Sequence, residues 1–326
     1  RASCLRIRRR ASSGIGGKRM NRAVYTVTLN PSIDVTLWTD GLDADAVNHV
    51  EKEKREAGGK GINVSRVLHS FGVDNLCIAL AGGENRHEFA GFLQHDELRF
   101  DILEVDGAVR ENLTLRYADK TVKINRRGQS LSQILLGALM AYLGARVRAG
   151  DVVVFAGSLP ENLAVQDYIE LILCAKSAGA LVALDTDCLS LADYGRIKPW
   201  LIKPNIHELQ HIVGKPLTKA NAADEAKALL SVGVEQVLLT LGADGMVLLA
   251  ENGTVVADAP QVKVKSTVGA GDSALAGFIV GFVKGHPAAE CVRLASACGT
   301  ACAQCDGTGV ATKDAAMACL PSITVE

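Results

Sequence analysis

Residues 151–185 read DVVVFAGSLPENLAVQDYIELILCAKSAGALVALD, and this stretch decides the fold class. An apolar run, DVVVFAG (151–157), is followed by the longer VQDYIELILCAKSAG (165–179) and a second apolar run, ALVALD (180–185). Strands that are apolar on both faces and separated by helices belong to a parallel sheet covered on both sides. The alternation extends outward in both directions. Upstream, VYTVTL (24–29) and NLCIALAG (75–82) read as strands, with SQILLGALMAYLGARV (132–147) as a helix. In GINVSRVLHSFG (61–72), Ile62, Val64, Val67, Leu68 and Phe71 mark a helix stopped by Gly72. Downstream the rhythm continues through WLIKPN (200–205), ADEAKALLSVG (223–233), QVLLTLG (236–242), GMVLLAENGTVVADA (245–259) and the apolar run after Asp272.

Two regions break that rhythm. Residues 34–56 contain strand-like residues in a polar setting, and NLTLRYADKTVKIN (112–125) reads as a hairpin turning at Ala118-Asp119-Lys120. Such strands do not suit a sheet buried on both faces. They predict a small accessory sheet, a lid over the carboxyl ends of the main strands, where α/β proteins bind ligands.

Composition narrows the class. The chain has 326 residues, 48% of them apolar, and a formal net charge of -1. No global field draws it to nucleic acid or anionic lipid, and no apolar run is long enough to span a membrane. Its nine cysteines lack a paired CxxC framework. Cys298, Cys302 and Cys305 share a helical face, which suits either a thiolate site or small-residue packing, and packing is the expectation. Residues 1–19 are rich in arginine and serine and contain no acid, a composition shared with transit peptides. Since the chain does not begin with methionine and Met20 opens a clean strand, they read as an added leader or disordered tail outside the fold. The expected location is the cytoplasm.

Chemistry concentrates in three glycine-bearing junctions, AGGKGIN (57–63), TLGADG (240–245) and TVGAGD (267–272). Glycine lets a backbone approach a ligand, and a following helix offers unpaired N–H groups to an anion. No GxxxxGK[ST] occurs, and GAGDSA matches a dinucleotide loop only loosely and too near the C-terminus. Asp272 can be read as a helix cap. Phosphoryl transfer gives it another use: a carboxylate that takes the acceptor hydroxyl's proton while the N–H groups of 269–272 stabilise the transferring phosphoryl.

STVGAGDSALAGF (266–278) and AGGKGINVSRVL (57–68) resemble the two signatures of the ribokinase-like carbohydrate kinases, the phosphofructokinase B family. FAGSLP (155–160), LIKPNIHEL (201–209) and TLGADG fall in that family's order, so the resemblance covers residues 20–326. It implies a ribokinase-like α/β fold, with a mostly parallel sheet, helices on both faces, a β lid and lid strands within 34–56 and 112–125. TLNPSIDVT (28–36) and VRENLTL (109–115) look closest to the branch acting on phosphorylated ketohexoses.

By the same resemblance, Asp272 is the catalytic base, and Gly269, Ala270 and Gly271 form the anion hole. Asp34, Gly59 and Asn63 bind sugar hydroxyls, while Arg110, with Lys60 as a second contact, holds the substrate's existing phosphate. Lys203, Asn205, Thr240, Gly242, Gly245 and Gly271 line the nucleotide side, and Glu208 organises Mg²⁺, partly through water, around ATP. The implied substrates are ATP and a phosphosugar. Fructose 1-phosphate, phosphorylated at its C6 hydroxyl, leads; tagatose 6-phosphate or fructose 6-phosphate is the alternative. A homodimer through the lid is implied too. A non-catalytic phosphosugar sensor is the competing reading, and intact catalytic residues count against it. Glu161-Asn162 after GSLP, the acids and histidine of GGENRHEF (82–89), and Arg126 and Arg127 depart from the family pattern beside the presumed sugar site.

Overall fold

Strand β1 (Val24–Thr28) leads into β2 (Ser32–Thr39) and β3 (Lys52–Gly58), and helix α1 (Lys60–Ser70) follows directly. Next come β4 (Asn75–Gly82), α2 (Arg86–His95) and β5 (Phe100–Val105), then a hairpin of β6 (Arg110–Tyr117) and β7 (Lys120–Asn125). The regular alternation is α3 (Gln133–Arg146), β8 (Val152–Ala156), α4 (Val165–Ser177), β9 (Leu181–Asp185), α5 (Leu191–Ile197), β10 (Leu201–Ile202) and α6 (Ile206–Val213). It is completed by α7 (Lys219–Ser231), β11 (Gln236–Thr240), β12 (Met246–Ala250) and β13 (Gly253–Ala257). The chain closes with α8 (Ala270–Val283), α9 (Ala288–Ala303) and α10 (Lys313–Cys319). This computed structural model describes residues 22–326, so the arginine-rich segment 1–19 lies outside the described residues.

Nine strands form the main sheet in the order β13-β12-β11-β10-β9-β8-β1-β4-β5. All are parallel from β11 to β5. The sequence continues its rhythm through 245–259, but the structure turns there into an antiparallel hairpin, β12 with β13, on the outer edge. The polar Glu251-Asn252 between two apolar strands leaves no room for a crossover helix.

Strand β8 shows why the sheet is double-sided. Every residue from Val152 to Ala156 is buried. Val153 and Phe155 join one core with Leu139, Tyr168 and Ile172 of α3 and α4. Val152, Val154 and Ala156 join the other, with Val64, Leu275 and Val292 of α1, α8 and α9. The two-residue strand period supplies both cores from one segment.

The second sheet has four strands in the order β3-β2-β6-β7. Ile33, Val35 and Ala57 on one face pack with Phe89 and Leu93 of α2, so this face is covered and the sheet's alternating pattern is explained. Residues 46–51, read as strand-like, are irregular, and β3 begins only at Lys52. The Asn48 side chain accepts from the Asp43 N–H at 2.8 Å and donates to the Asp43 carbonyl at 2.7 Å, which closes a loop in place of the strand. Among the described residues no helix is long and apolar enough to cross a membrane.

Helices α8 and α9 pack closely through glycine. A Cβ on Gly277 would lie 2.6 Å from the Leu294 carbonyl oxygen and 2.8 Å from the Cys298 sulfur. Gly277→Ala is therefore expected to lower stability by about 1–3 kcal/mol through overpacking, read as an earlier urea midpoint at unchanged slope. An unchanged midpoint would mean that the two helices separate without cost.

Candidate active site

Strands β9 and β10 end on opposite charges. Asp185, the last residue of β9, is 2% exposed, and Lys203, just past β10, is 4% exposed. Lys60, the first residue of α1, donates to Asp185 Oδ1 at 3.0 Å, and Lys203 Nζ lies 3.4 Å from Oδ2. Lys60 Nζ is also 3.7 Å from Glu208 Oε1. Burial alone would push the Asp185 carboxyl up, but Lys203 and Lys60 hold it below its ordinary value. Burial likewise opposes the Lys60 charge, and Asp185, Asp272 and Glu208 together keep its ammonium above the usual range.

Asp272 stands beside this cluster. Gly269, at φ 79°, occupies the cap position of α8, and no side chain bonds the helix's free N–H groups there. Asp272 is two residues inside the helix and 6% exposed, so it is not the cap that its place in the sequence allows. Its Oδ2 accepts a 2.8 Å bond from Asn63 Nδ2, while Asn63 Oδ1 accepts from Arg66 at 3.0 Å. Arg66 thus turns the amide nitrogen towards the carboxylate. Burial first, and then the charge on Asp185, push the Asp272 carboxyl up to about 6, against the pull of Asn63, Lys60 and Lys203. Gly271 has a local reason to be glycine: a Cβ would approach Lys203 Nζ to 3.0 Å. The first turn of α8, with its unsatisfied N–H groups, and the Lys203 ammonium therefore face one place.

The small sheet supplies a second group. Asp34, in β2, accepts from Ser32 at 2.7 Å and from Asn112 Nδ2 at 3.1 Å. It lies inside a strand rather than in a turn, and a Cβ on Gly58 would come within 2.3 Å of its Oδ2. Arg110, in β6, donates to the carbonyls of Asn30 at 3.1 Å, Pro31 at 3.4 Å and Arg126 at 3.1 Å. Burial lowers its guanidinium, and Asp34 acts in the opposite sense. Among the described residues no carboxylate forms an ion pair with it, so its direct partners are the three carbonyls and the Ser158 hydroxyl at 3.5 Å. The departures at 84–88 and 161 fall around this group. Asn85 brackets Val109, the residue before Arg110, with bonds of 2.7 and 2.9 Å, and Arg127 pairs with Glu161 at 2.5 Å on the surface.

Lys60, expected beside Arg110 as a contact for the same phosphate, is instead held by Asp185 and Glu208. Gly59, at φ 137°, caps α1 and packs against Thr28. Asn205 and Glu208 form a capping box at the start of α6, with both bonds at 2.9 Å. Thr240 bridges to Asn205 and donates its N–H to the Pro204 carbonyl at 3.0 Å. Gly242 has open space around it, whereas Gly245 is explained by packing, since a Cβ would meet the Ala257 carbonyl at 2.0 Å.

Two site residues escape the sequence reading. Asp185 carries one signal, an acid closing an apolar parallel strand; Asn112 carries none until register sets it opposite Asp34. Cys298 and Cys302 are buried, burial raises both thiols, and Cys302 donates to the Val268 and Gly309 carbonyls. That is packing.

The donor set fits a hard divalent cation. Asp185 Oδ2 is buried with no hydrogen-bond partner beyond the Lys203 ammonium at 3.4 Å, and Glu208 Oε1 has only the distant Lys60. Among the described residues no three His, Cys, Asp or Glu side chains gather as a metal cage. Magnesium, which leans on water and phosphate oxygens, suits such a sparse set.

A model of the pfkB family carbohydrate kinases matches residues 14–315. The 1-phosphofructokinase of Bacillus subtilis (strain 168) is 33% identical over 303 residues, 93% of this chain and 99% of that protein. The tagatose-6-phosphate kinase of Staphylococcus epidermidis is 29% identical over 282 residues, 85% of this chain and 90% of that one. Phosphofructokinase-2 from Escherichia coli, in a crystal structure with substrates and products, superposes with a TM-score of 0.85 at 25% identity, covering 92% of this chain and 98% of that one.

A carboxyl pushed up to about 6 burdens the fold once it ionises. The native state binds that proton more tightly than the unfolded chain, so the cost is absent below about pH 4 and full above pH 6. Asp272→Asn is thus expected to raise stability at pH 8, on the order of 2 kcal/mol, with no gain at pH 4. Urea unfolding at the two pH values reads the difference; equal stability at pH 8 would contradict a burdened carboxylate.

Proposed function

The chain belongs to the pfkB family of carbohydrate kinases, and we propose that within it the chain phosphorylates a ketohexose phosphate with ATP. The fold is ribokinase-like, and the activity class is that of a sugar-phosphate kinase. Our reading of the substrate is fructose 1-phosphate, converted at its C6 hydroxyl to fructose 1,6-bisphosphate. The observation that carries it is Asp272: a buried carboxylate that caps nothing, beside a glycine-capped helix mouth and two ammonium groups.

In this reading the C6 oxygen attacks the γ-phosphorus in line, the bond from that phosphorus to the β–γ bridging oxygen breaks, and ADP leaves. The hydroxyl proton passes to Asp272, whose raised value matches a base working near neutral pH. N–H groups of Gly269, Ala270, Gly271 and Asp272, with the α8 dipole behind them, receive the charge on the transferring group. Asp34, Gly59 and Asn63 orient the sugar, and Arg110 holds its existing phosphate. Lys60 and Lys203, fixed by Asp185, face the ATP phosphates, while Asn205, Thr240, Gly242 and Gly245 line the nucleotide side. Glu208 and Asp185 would hold Mg²⁺, which would supply neutralising positive charge beside the ATP phosphates.

The four-stranded sheet acts as a lid, and we place a second copy of the chain against it. Its end strand β7 has an unpaired edge, with Val122 37% and Ile124 55% exposed. Eight free cysteines among the described residues suit a reducing compartment, so we assign the reaction to the cytoplasm.

Initial rates with Mg-ATP should favour fructose 1-phosphate over tagatose 6-phosphate, fructose 6-phosphate, fructose and ribose in kcat/KM. Preference for another phosphoketose would move the assignment to that sugar, and activity on free sugars alone would remove Arg110 from the reading. Arg110→Ala should raise KM for the phosphosugar about 10- to 100-fold, with a smaller change in kcat. Log kcat/KM should fall with unit slope below about pH 6, and Asp272→Asn should lose about 10²–10⁴ in kcat while binding a non-hydrolysable ATP analogue normally. Ile124→Lys should shift the solution mass from dimer to monomer at micromolar concentration; a wild-type monomer would refute the dimer.

A further inference from the structure

Lid and anion hole are joined by one contact that phosphoryl transfer itself does not require. Glu56, in the edge strand β3, accepts a hydrogen bond from the Thr308 hydroxyl, 252 residues away. Glu56 lies directly opposite Asp34 in the antiparallel β2–β3 register, and Asp34 lies opposite Asn112 in β6. Residues opposite one another share a face. Glu56, Asp34 and Asn112 therefore form one polar row across the sheet face that carries Asp34. The neighbouring residue points the other way: Arg55 ties the opposite face to Glu88 of α2 at 2.7 Å and to Glu111 at 2.5 Å. Lys54 adds a 2.7 Å ion pair that fixes the Glu56 carboxylate.

Thr308 belongs to a loop, residues 304–312, that braces the other half of the site. Ser266 donates to the Gly307 carbonyl at 2.7 Å and accepts from the Val268 N–H at 3.2 Å, on the approach to Gly269. Cys302 donates to the carbonyls of Val268 at 3.4 Å and Gly309 at 3.3 Å. Val310 packs 3.5 Å from where a Cβ on Gly269 would be, and the Ala311 N–H donates to Ser273, in the first turn of α8, at 3.3 Å. The loop thus contacts the segment that sets the direction of the anion-hole N–H groups on both sides of Gly269.

We propose that Glu56 and Thr308 are positioning residues that couple phosphosugar binding on the lid to the phosphoryl-binding geometry of residues 269–272. The inference rests on the reading of Asp34 as a sugar contact and of 269–272 as an anion hole. Sugar held by Asp34 fixes β2; β3 moves with β2 as one ladder; Thr308 follows Glu56 and carries the loop against Gly269 and Ser273. With sugar absent, the loop is free of that restraint, and the anion hole is less well formed for the γ-phosphate.

The test is the affinity for a non-hydrolysable ATP analogue with Mg²⁺, measured with and without saturating phosphoketose, by calorimetry. Fructose 1-phosphate, fructose 6-phosphate and tagatose 6-phosphate are each used. In the wild type, the sugar should tighten the analogue by about 5-fold or more, within the usual range of site–site coupling. Thr308→Val, which removes the hydroxyl and keeps the shape, should reduce that factor to below about 2 and lower kcat about tenfold, with both separate affinities unchanged. Thr308→Ser should restore the coupling. Glu56→Gln, which can still accept the bond but loses the Lys54 pair, should give an intermediate factor. Unaltered coupling in Thr308→Val, coupling lost equally in Thr308→Ser, or a wild type with no coupling would each overturn the proposal. Failure of all three sugars to bind the wild type would instead overturn the kinase reading, and the coupling with it.

Discussion

The site depends on a buried carboxylate held ionised between two ammonium groups. Asp185 lies at the end of β9 with Lys60 on one side and Lys203 on the other. Asp185 and Lys203 alone would each be a charge in a poor solvent, while the Lys60 side chain keeps part of its surface in water. Breaking the buried Asp185–Lys203 pair by removing one member strands the other, at a cost of about 3–5 kcal/mol. The triad also fixes direction: it ties the first residue of α1 to the ends of β9 and β10, so a glycine-rich junction early in the sequence meets strands 125 residues later.

That arrangement sets the character of Asp272. A carboxyl in the same cavity feels the Asp185 charge as well as the loss of water, and both raise it. The lysines moderate the effect without cancelling it. The result is a group that is ionised at neutral pH yet close enough to titration to accept a proton, a property a surface aspartate in the same helix would lack. The fold tolerates the burden because α8 is held on nearly all sides, with ten of its fourteen residues buried.

Much of this was legible in the chain. NLCIALAG is β4 residue for residue, and the glycines of TVGAGD and AGGKGIN do stand at the mouths of α8 and α1. Local pattern suffices there, since strand period and glycine-capped helix starts are properties of short segments. Asn63 and Asp272, 209 residues apart, were named separately, and the fold joins them by a 2.8 Å bond. What stayed hidden depends on register. Asn112 matters only because β6 pairs with β2 in the register that sets it against Asp34, and Lys60 changes sides because Asp185 attracts it. The β12–β13 hairpin is hidden too, because an apolar run reads alike in parallel and antiparallel pairing.

Local charge makes the two ends of the candidate site differ in kind. At the Asp272 end, the ammonium groups of Lys60 and Lys203 face three carboxylates, those of Asp185, Glu208 and Asp272. With all five ionised, that end carries one net negative charge, which would repel a triphosphate unless a divalent cation came with it. At the other end, Arg110 is held by three carbonyl oxygens and the Ser158 hydroxyl, which orient its guanidinium without neutralising it, and no carboxylate among the described residues pairs with it. An anion would need no metal there. On the function proposed above, the first end suits a metal-bearing polyphosphate and the second a metal-free sugar phosphate, so a ligand entering the wrong way round would meet the wrong charge at each end.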